Sequence, residues 1–171
     1  MDIIAEAESI EEEVVSFRRE FHQYPEVSGH EVMTTEYIRE HLEKWGISYR
    51  LMEPTGIIGV LGSGSSTTAL RADMDALEIR EETELSFQSQ NTGCMHACGH
   101  DGHTAVLLAA AKILKEHEDE LDHRIMLVFQ PAEETAQGAA DLLETGILNQ
   151  ADKIFGLYIF SWIEKGKISL E

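Results

Sequence analysis

The order of elements along the chain predicts an α/β fold built on a largely parallel sheet. Three observations carry this reading. Apolar residues at helical spacing alternate with short apolar runs of strand length. The stretch Ile125-Met126-Leu127-Val128-Phe129 is apolar throughout, as in a strand covered on both faces. Glycines and prolines stand at the joints between these segments.

Ile3, Ala7, Ile10, Val14, Phe17 and Phe21 recur at steps of three and four, which predicts one opening helix with its glutamates in water. Pro25 interrupts it. Ser28 and Glu31 have the spacing of a capping box for a second helix, with Val32, Ile38, Leu42 and Trp45 as its buried stripe and Gly46 as its end. Ile47 to Met52, Ile57 to Leu61 and Thr68 to Ala72 read as strands. Gly62-Ser63-Gly64-Ser65-Ser66 between the last two reads as a hairpin loop, since it has no Lys-Ser/Thr ending and opens no helix. Residues 73–102 are polar and aperiodic, and a loop of that length inside a compact domain marks function. Helical period returns from His103 to His117. The strand Arg124 to Gln130 stops at Pro131, a helix runs from about Gly138 to Glu144, and Lys153 to Phe160 reads as another buried strand. Strand, helix, strand, helix, strand implies right-handed crossovers. No repeat or linker divides the chain, so it forms one domain or part of one.

Of 171 residues, 13 are Lys or Arg and 32 are Asp or Glu, a net charge of −19. Phosphates would be repelled by such a surface, so neither nucleic acid nor an anionic membrane is expected as a partner. No apolar run approaches the roughly 20 residues of a membrane span. Residues Met1 to Glu13 are acidic where a secretory leader is basic and then apolar, so a cytoplasmic location is expected. Two cysteines, Cys94 and Cys98, are too few for a disulfide framework and fit a reducing compartment.

Three polar clusters fall just beyond strand ends or in the loops beside them, where α/β sheets gather functional residues. They are Arg71 to Asp75, His96 to His103, and Gln130 to Glu134. Thiolate, imidazole and carboxylate together are the donor set of borderline transition metals. In the second cluster Cys98 and His100 can point the same way from extended backbone, and Asp101 could orient an imidazole. Of the adjacent Glu133 and Glu134, one can ligate while the other takes a proton from water. Asp73 and Asp75 flank a single Met, so strand geometry would put both on one face. A structural zinc site using Cys94 and Cys98 is an open alternative, with His117 and His123 the only later histidines.

These clusters resemble a known family. Arg71-Ala72-Asp73-Met74-Asp75-Ala76-Leu77, Met95-His96-Ala97-Cys98-Gly99-His100-Asp101-Gly102-His103 and Phe129-Gln130-Pro131-Ala132-Glu133-Glu134 are similar to signatures of the metal-dependent N-acyl-amino-acid amidohydrolases. That group includes hippurate and auxin-conjugate hydrolases and N-acetyl-diaminopimelate deacetylases, within the aminoacylase and carboxypeptidase-G superfamily. The likeness spans about residues 14–171. It implies a three-layer metallopeptidase-like fold with mostly parallel strands and helices on both faces. It implies Cys98, His100 and Glu134 as ligands of a divalent metal ion (Zn, Mn, Co or Ni), Glu133 as general base and Asp73 as a supporting acid. The implied partner is a small N-acyl amino acid or related amide, with a homo-oligomer or a complementing chain as the protein partner. Two positions depart from the pattern: Tyr158 stands where the family has a ligand histidine, and Glu78 where it has proline. Relatives also run to more than twice this length. The resemblance therefore implies that residues 1–171 are the amino-terminal part of a catalytic domain whose lid and closing strands lie outside them.

Overall fold

The apolar runs pair into a five-stranded sheet in the computed structural model, which describes residues 2–169. The strands are β1 (Ser48–Leu51), β2 (Ile57–Leu61), β3 (Thr67–Asp73), β4 (Arg124–Gln130) and β5 (Lys153–Gly156), in the spatial order β1-β2-β4-β3-β5. β1 pairs antiparallel with β2 and β2 antiparallel with β4, while β3 is parallel to both β4 and β5. Four strands therefore share one direction and β2 alone opposes them.

Helices cover both faces. On one side, α2 (Glu11–Gln23), α3 (Val32–Trp45) and α4 (His100–Glu116) bury Phe17, Phe21, Ile38, Leu42 and Leu108 against Leu127 and Phe129. On the other, α5 (Gln137–Glu144) packs Leu142 against Ile58, Ala69, Met126 and Val128. Alternate β4 side chains thus enter two different cores, which is why its sequence is apolar without a break. At about 25 cal/mol per Å² of apolar surface, a large aliphatic side chain shut inside such a core contributes about 2 kcal/mol.

This layering places a site. β3 is followed by α4 on one face and its neighbour β4 by α5 on the other, so the chain leaves two adjacent strand ends in opposite directions. A crevice at such a switch point is where open α/β sheets bind ligands. Asp73 at the end of β3 lies directly opposite Gln130 at the end of β4.

Several local expectations are corrected. The opening helix is two helices, α1 (Ile3–Ser9) and α2, separated at Ile10, and α1 buries no residue. The Ser28–Glu31 capping box does not form. Glu26 caps α3 instead, accepting from the backbone N–H groups of Met33 and Thr34 at 3.1 and 2.8 Å, and Val32 is exposed. The segment 62–66 joins no hairpin, because β4 lies between β2 and β3. It crosses the entry to β4 so closely that a Cβ on Gly62 (φ +66°) would lie 2.5 Å from the His123 carbonyl oxygen. The last strand stops at Gly156, and its edge position leaves Ile154 54% and Phe155 58% exposed.

Candidate metal centre

The crevice is floored by two aspartates that the end of β3 carries inward. Asp73 is fully buried, accepting from His103 Nδ1 at 2.5 Å on one oxygen and from Arg71 Nη1 at 2.6 Å on the other. Asp75 accepts from Ser28 Oγ (2.7 Å) and the Glu134 backbone N–H (2.9 Å) through Oδ2. Its Oδ1 and its backbone oxygen face His100 Nδ1 at 3.2 and 3.0 Å. Burial works against the Asp75 charge, but these hydrogen bonds outweigh it and bring its pKa down to about 2.

His100 is fully buried at the start of α4, where Gly99 in a left-handed conformation (φ +89°) turns the chain into the helix. In the neutral imidazole, with Nδ1 donating to Asp75, the other nitrogen carries a lone pair. That atom, Nε2, lies 3.7 Å from Asp73 Oδ1, 3.7 Å from Glu133 Oε2 and 3.8 Å from Glu134 Oε1. Burial opposes protonation of this imidazole, yet Asp75, Asp73 and Glu134 lift its pKa above the ordinary value.

The glutamates follow a turn built for them. Ala132 takes a left-handed φ of +51°, and its N–H donates at 2.8 Å to Glu31 Oε1, whose other oxygen accepts from Thr55 Oγ1 at 2.6 Å. Glu31 is itself fully buried, so the turn before Glu133 and Glu134 is held by a carboxylate about 100 positions away in sequence. Cys98 reaches the crevice from the loop before α4, its Sγ 3.0 Å from the Tyr158 hydroxyl. Burial pushes the Cys98 thiol up and the phenol partly offsets it, while the same contact raises Tyr158 to about 12.

Two donor groups form among the described residues, with candidate ligand atoms within 4.8 Å of one another: Cys98, His100 and Glu134, and Asp73, His100 and His103. They differ in what is free. His103 has both nitrogens engaged, Nδ1 with Asp73 and Nε2 accepting from the Ile159 N–H at 2.9 Å. His100 Nε2 and Glu134 Oε1 are buried with no hydrogen-bond partner. Two buried acceptors facing each other beside a thiol are costly unless a cation lies between them. The residues present therefore fit a metal ion at Cys98, His100 and Glu134.

A protein-family model described as "Peptidase family M20/M25/M40" matches residues 69–171, a stretch that takes in all three of these side chains together with Asp73 and Glu133. The chain belongs to that family. This M20 chain is 47% identical over 158 residues to IAA-amino acid hydrolase ILR1-like 4 of Arabidopsis thaliana, covering 91% of itself and 36% of that protein. It is 43% identical over 166 residues to the N-acetyl-L-cysteine deacetylase of Bacillus subtilis, covering 95% of itself and 40% of the relative. Among solved structures it superposes on a dinuclear metal-binding peptidase of the M20 family from Bacillus subtilis with a TM-score of 0.83 and 42% identity. That match covers 88% of this chain and 44% of the other. The chain thus spans about two fifths of the length of these relatives.

Five of the residues singled out from the M20 chain's sequence, Asp73, Cys98, His100, Glu133 and Glu134, line this one crevice. Asp101 does not: it accepts from His22 Nδ1 at 2.8 Å and Arg18 Nε at 3.2 Å, on the other side of α4's first turn, and Asp75 holds His100 instead. His96 is buried with both ring nitrogens unpartnered, and burial brings its pKa down to about 4, so it is neutral. Among the described residues Cys94 joins neither donor group, while His117 pairs with Glu120 and Glu6, and His123 with Asp122, so none of these three shares a donor group with Cys98. Ser28, Glu31 and Tyr158 also shape the centre. The Asp-x-Asp spacing of Asp73 and Asp75 was a signal for the second aspartate, whereas nothing local marks Glu31.

Proposed function

We propose that this chain is the amino-terminal part of the catalytic domain of a metal-dependent amidohydrolase, acting on the amide bond of an N-acyl amino acid. The meeting of Cys98 Sγ with two buried, unpartnered acceptors, His100 Nε2 and Glu134 Oε1, carries the reading. The matched share of the Bacillus subtilis structure supports its domain part, and the two named relatives support an amino-acid conjugate as substrate. Residues 1, 170 and 171 of the assigned domain lie outside the described residues. Two unpaired cysteines accord with a cytoplasmic location.

Cys98, His100 and Glu134 would hold a divalent cation, Zn, Mn, Co or Ni. When bound, it supplies Lewis acidity toward an amide carbonyl and toward water. Glu133 is the general base. Its Oε2 stands 3.7 Å from His100 Nε2, beside the donor trio, and 34% of its side chain is open to solvent. From there Oε2 can take a proton from water and return it to the departing amine nitrogen. The net change adds water across the amide, giving a carboxylate and a free amine. Asp73 supports the wall: anchored by Arg71, it fixes His103 and lies 3.7 Å from His100 Nε2.

Zinc titration of the full chain, paired with hydrolysis of N-acetyl amino acids, tests this. Cys98→Ser should weaken zinc binding by about 10- to 100-fold or more. Glu133→Gln should keep zinc affinity and lose roughly 10²- to 10⁴-fold in turnover. Undiminished zinc affinity in Cys98→Ser overturns the assignment. A second reading is favoured by the exposed apolar strip at β5: a cation-binding chain that turns over substrate only with a second copy or a complementing polypeptide on that edge. Zinc binding without turnover, restored by adding such a chain, separates the two.

A further inference from the structure

The segment after β5 lies across the first turn of α4 and is fixed there at two points. The Ile159 N–H donates to His103 Nε2 at 2.9 Å. The Ile159 side chain sits against Gly102 so closely that a Cβ there would lie 2.6 Å from its Cδ1. The intervening Tyr158 ring rests on the His103 imidazole, centroids 5.2 Å apart, and on Phe160 at 4.7 Å. These anchors bring the phenol oxygen to 3.0 Å from Cys98 Sγ. Cys98 comes from the loop before α4 and is only partly buried.

We propose that Tyr158 is a positioning residue of the cation centre, its phenol O–H donating to Cys98 Sγ and holding that sulfur toward His100 and Glu134. The inference rests on the cation assignment above. A sulfur bound to a cation carries no proton, so the phenol must be the donor of this pair. The contact leaves Tyr158 acting through Cys98, and it fits groups around metal ligands whose loss typically costs about 10- to 100-fold in affinity. Arg or Lys would bring charge to the same sulfur; the phenol brings direction.

Cobalt(II) titration of the full chain followed by near-ultraviolet spectroscopy tests this. Tyr158→Phe keeps the ring and removes the donor. It should lower cobalt affinity about tenfold or more and move the thiolate-to-cobalt charge-transfer band to lower energy, because a sulfur that loses a hydrogen bond is a better electron donor. Far-ultraviolet circular dichroism should not change. Unchanged affinity and an unmoved band overturn the proposal, and so does complete loss of stoichiometric binding, which would make the phenol a ligand. Should the Phe variant not fold, 3-fluorotyrosine labelling of the wild-type chain strengthens the O–H donor and should move the band to higher energy; an unmoved band again overturns it. If wild type shows no such band and Cys98→Ser binds cobalt equally well, the cation assignment itself has failed. If only the Tyr158 variants leave the band unmoved, that assignment stands and this inference does not.

Discussion

His100 shows how much of the centre turns on single atoms. One ring nitrogen is committed to Asp75, and that commitment frees the other for a cation. Asp75 can be tested without metal. An unfolded aspartate titrates near about 3.9, and here hydrogen bonding overcomes burial to reach about 2. The folded chain therefore holds the charged form more tightly than the unfolded one. The resulting stability, about 2 to 3 kcal/mol, is present above the unfolded value and is lost as the pH falls through the folded one. Urea melts of the metal-free chain should show wild type more stable than Asp75→Asn at pH 6, with the gap closing as the pH approaches 2. In sequence, Cys98, His100 and Glu134 were legible as donors because their chemistry is intrinsic to the side chain. The partner of His100 was not, since Asp101 is adjacent in the chain while Asp75 arrives from 25 residues away.

Among the elements, the turn between β4 and α5 does most to present the glutamates. Gly138 opens that helix under the Pro131 carbonyl, and a Cβ there would fall 1.7 Å from its oxygen. Backbone on both sides leaves little room to yield. Gly138→Ala should cost about 3 kcal/mol, read as a lowered urea midpoint, and should also weaken zinc binding because Glu134 moves with the turn. The elements themselves were largely readable, since periods of 3.6 and 2 are written in side-chain order. Their ends were less so. Ser28 and Glu31 satisfy the spacing of a capping box, yet Ser28 is drawn to Asp75 and Glu31 to Thr55 and Ala132. A local motif lost to buried partners that offered stronger hydrogen bonds.

Across the whole molecule the unbalanced feature is the β5 side. Among the described residues β5 pairs only with β3, and Ile154, Phe155, Leu157, Ile159 and Trp162 are exposed along it and just beyond. A sheet edge with free backbone groups and an apolar strip favours association. Light scattering should show the wild-type chain associating as concentration rises, and Ile154→Lys with Phe155→Lys should suppress this while leaving the far-ultraviolet spectrum unchanged. The strand's apolar composition was plain in the sequence and predicted burial. Exposure instead follows from its place at the end of the sheet order, a property of topology rather than of residues.

Side-chain order alone marks most strands and helices, because periodicity acts over a few residues. The sequence also establishes that the chain carries soft and hard donors suited to a cation, because protonation and ligand chemistry belong to each side chain. Tertiary packing set the ends of β3 and β4 side by side, with α4 and α5 leaving on opposite faces. It alone left His100 Nε2 without a partner beside Glu134 and brought a tyrosine to the cysteine sulfur. Those outcomes depend on contacts between residues tens of positions apart, and such contacts are set by how whole faces bury one another rather than by any local pattern.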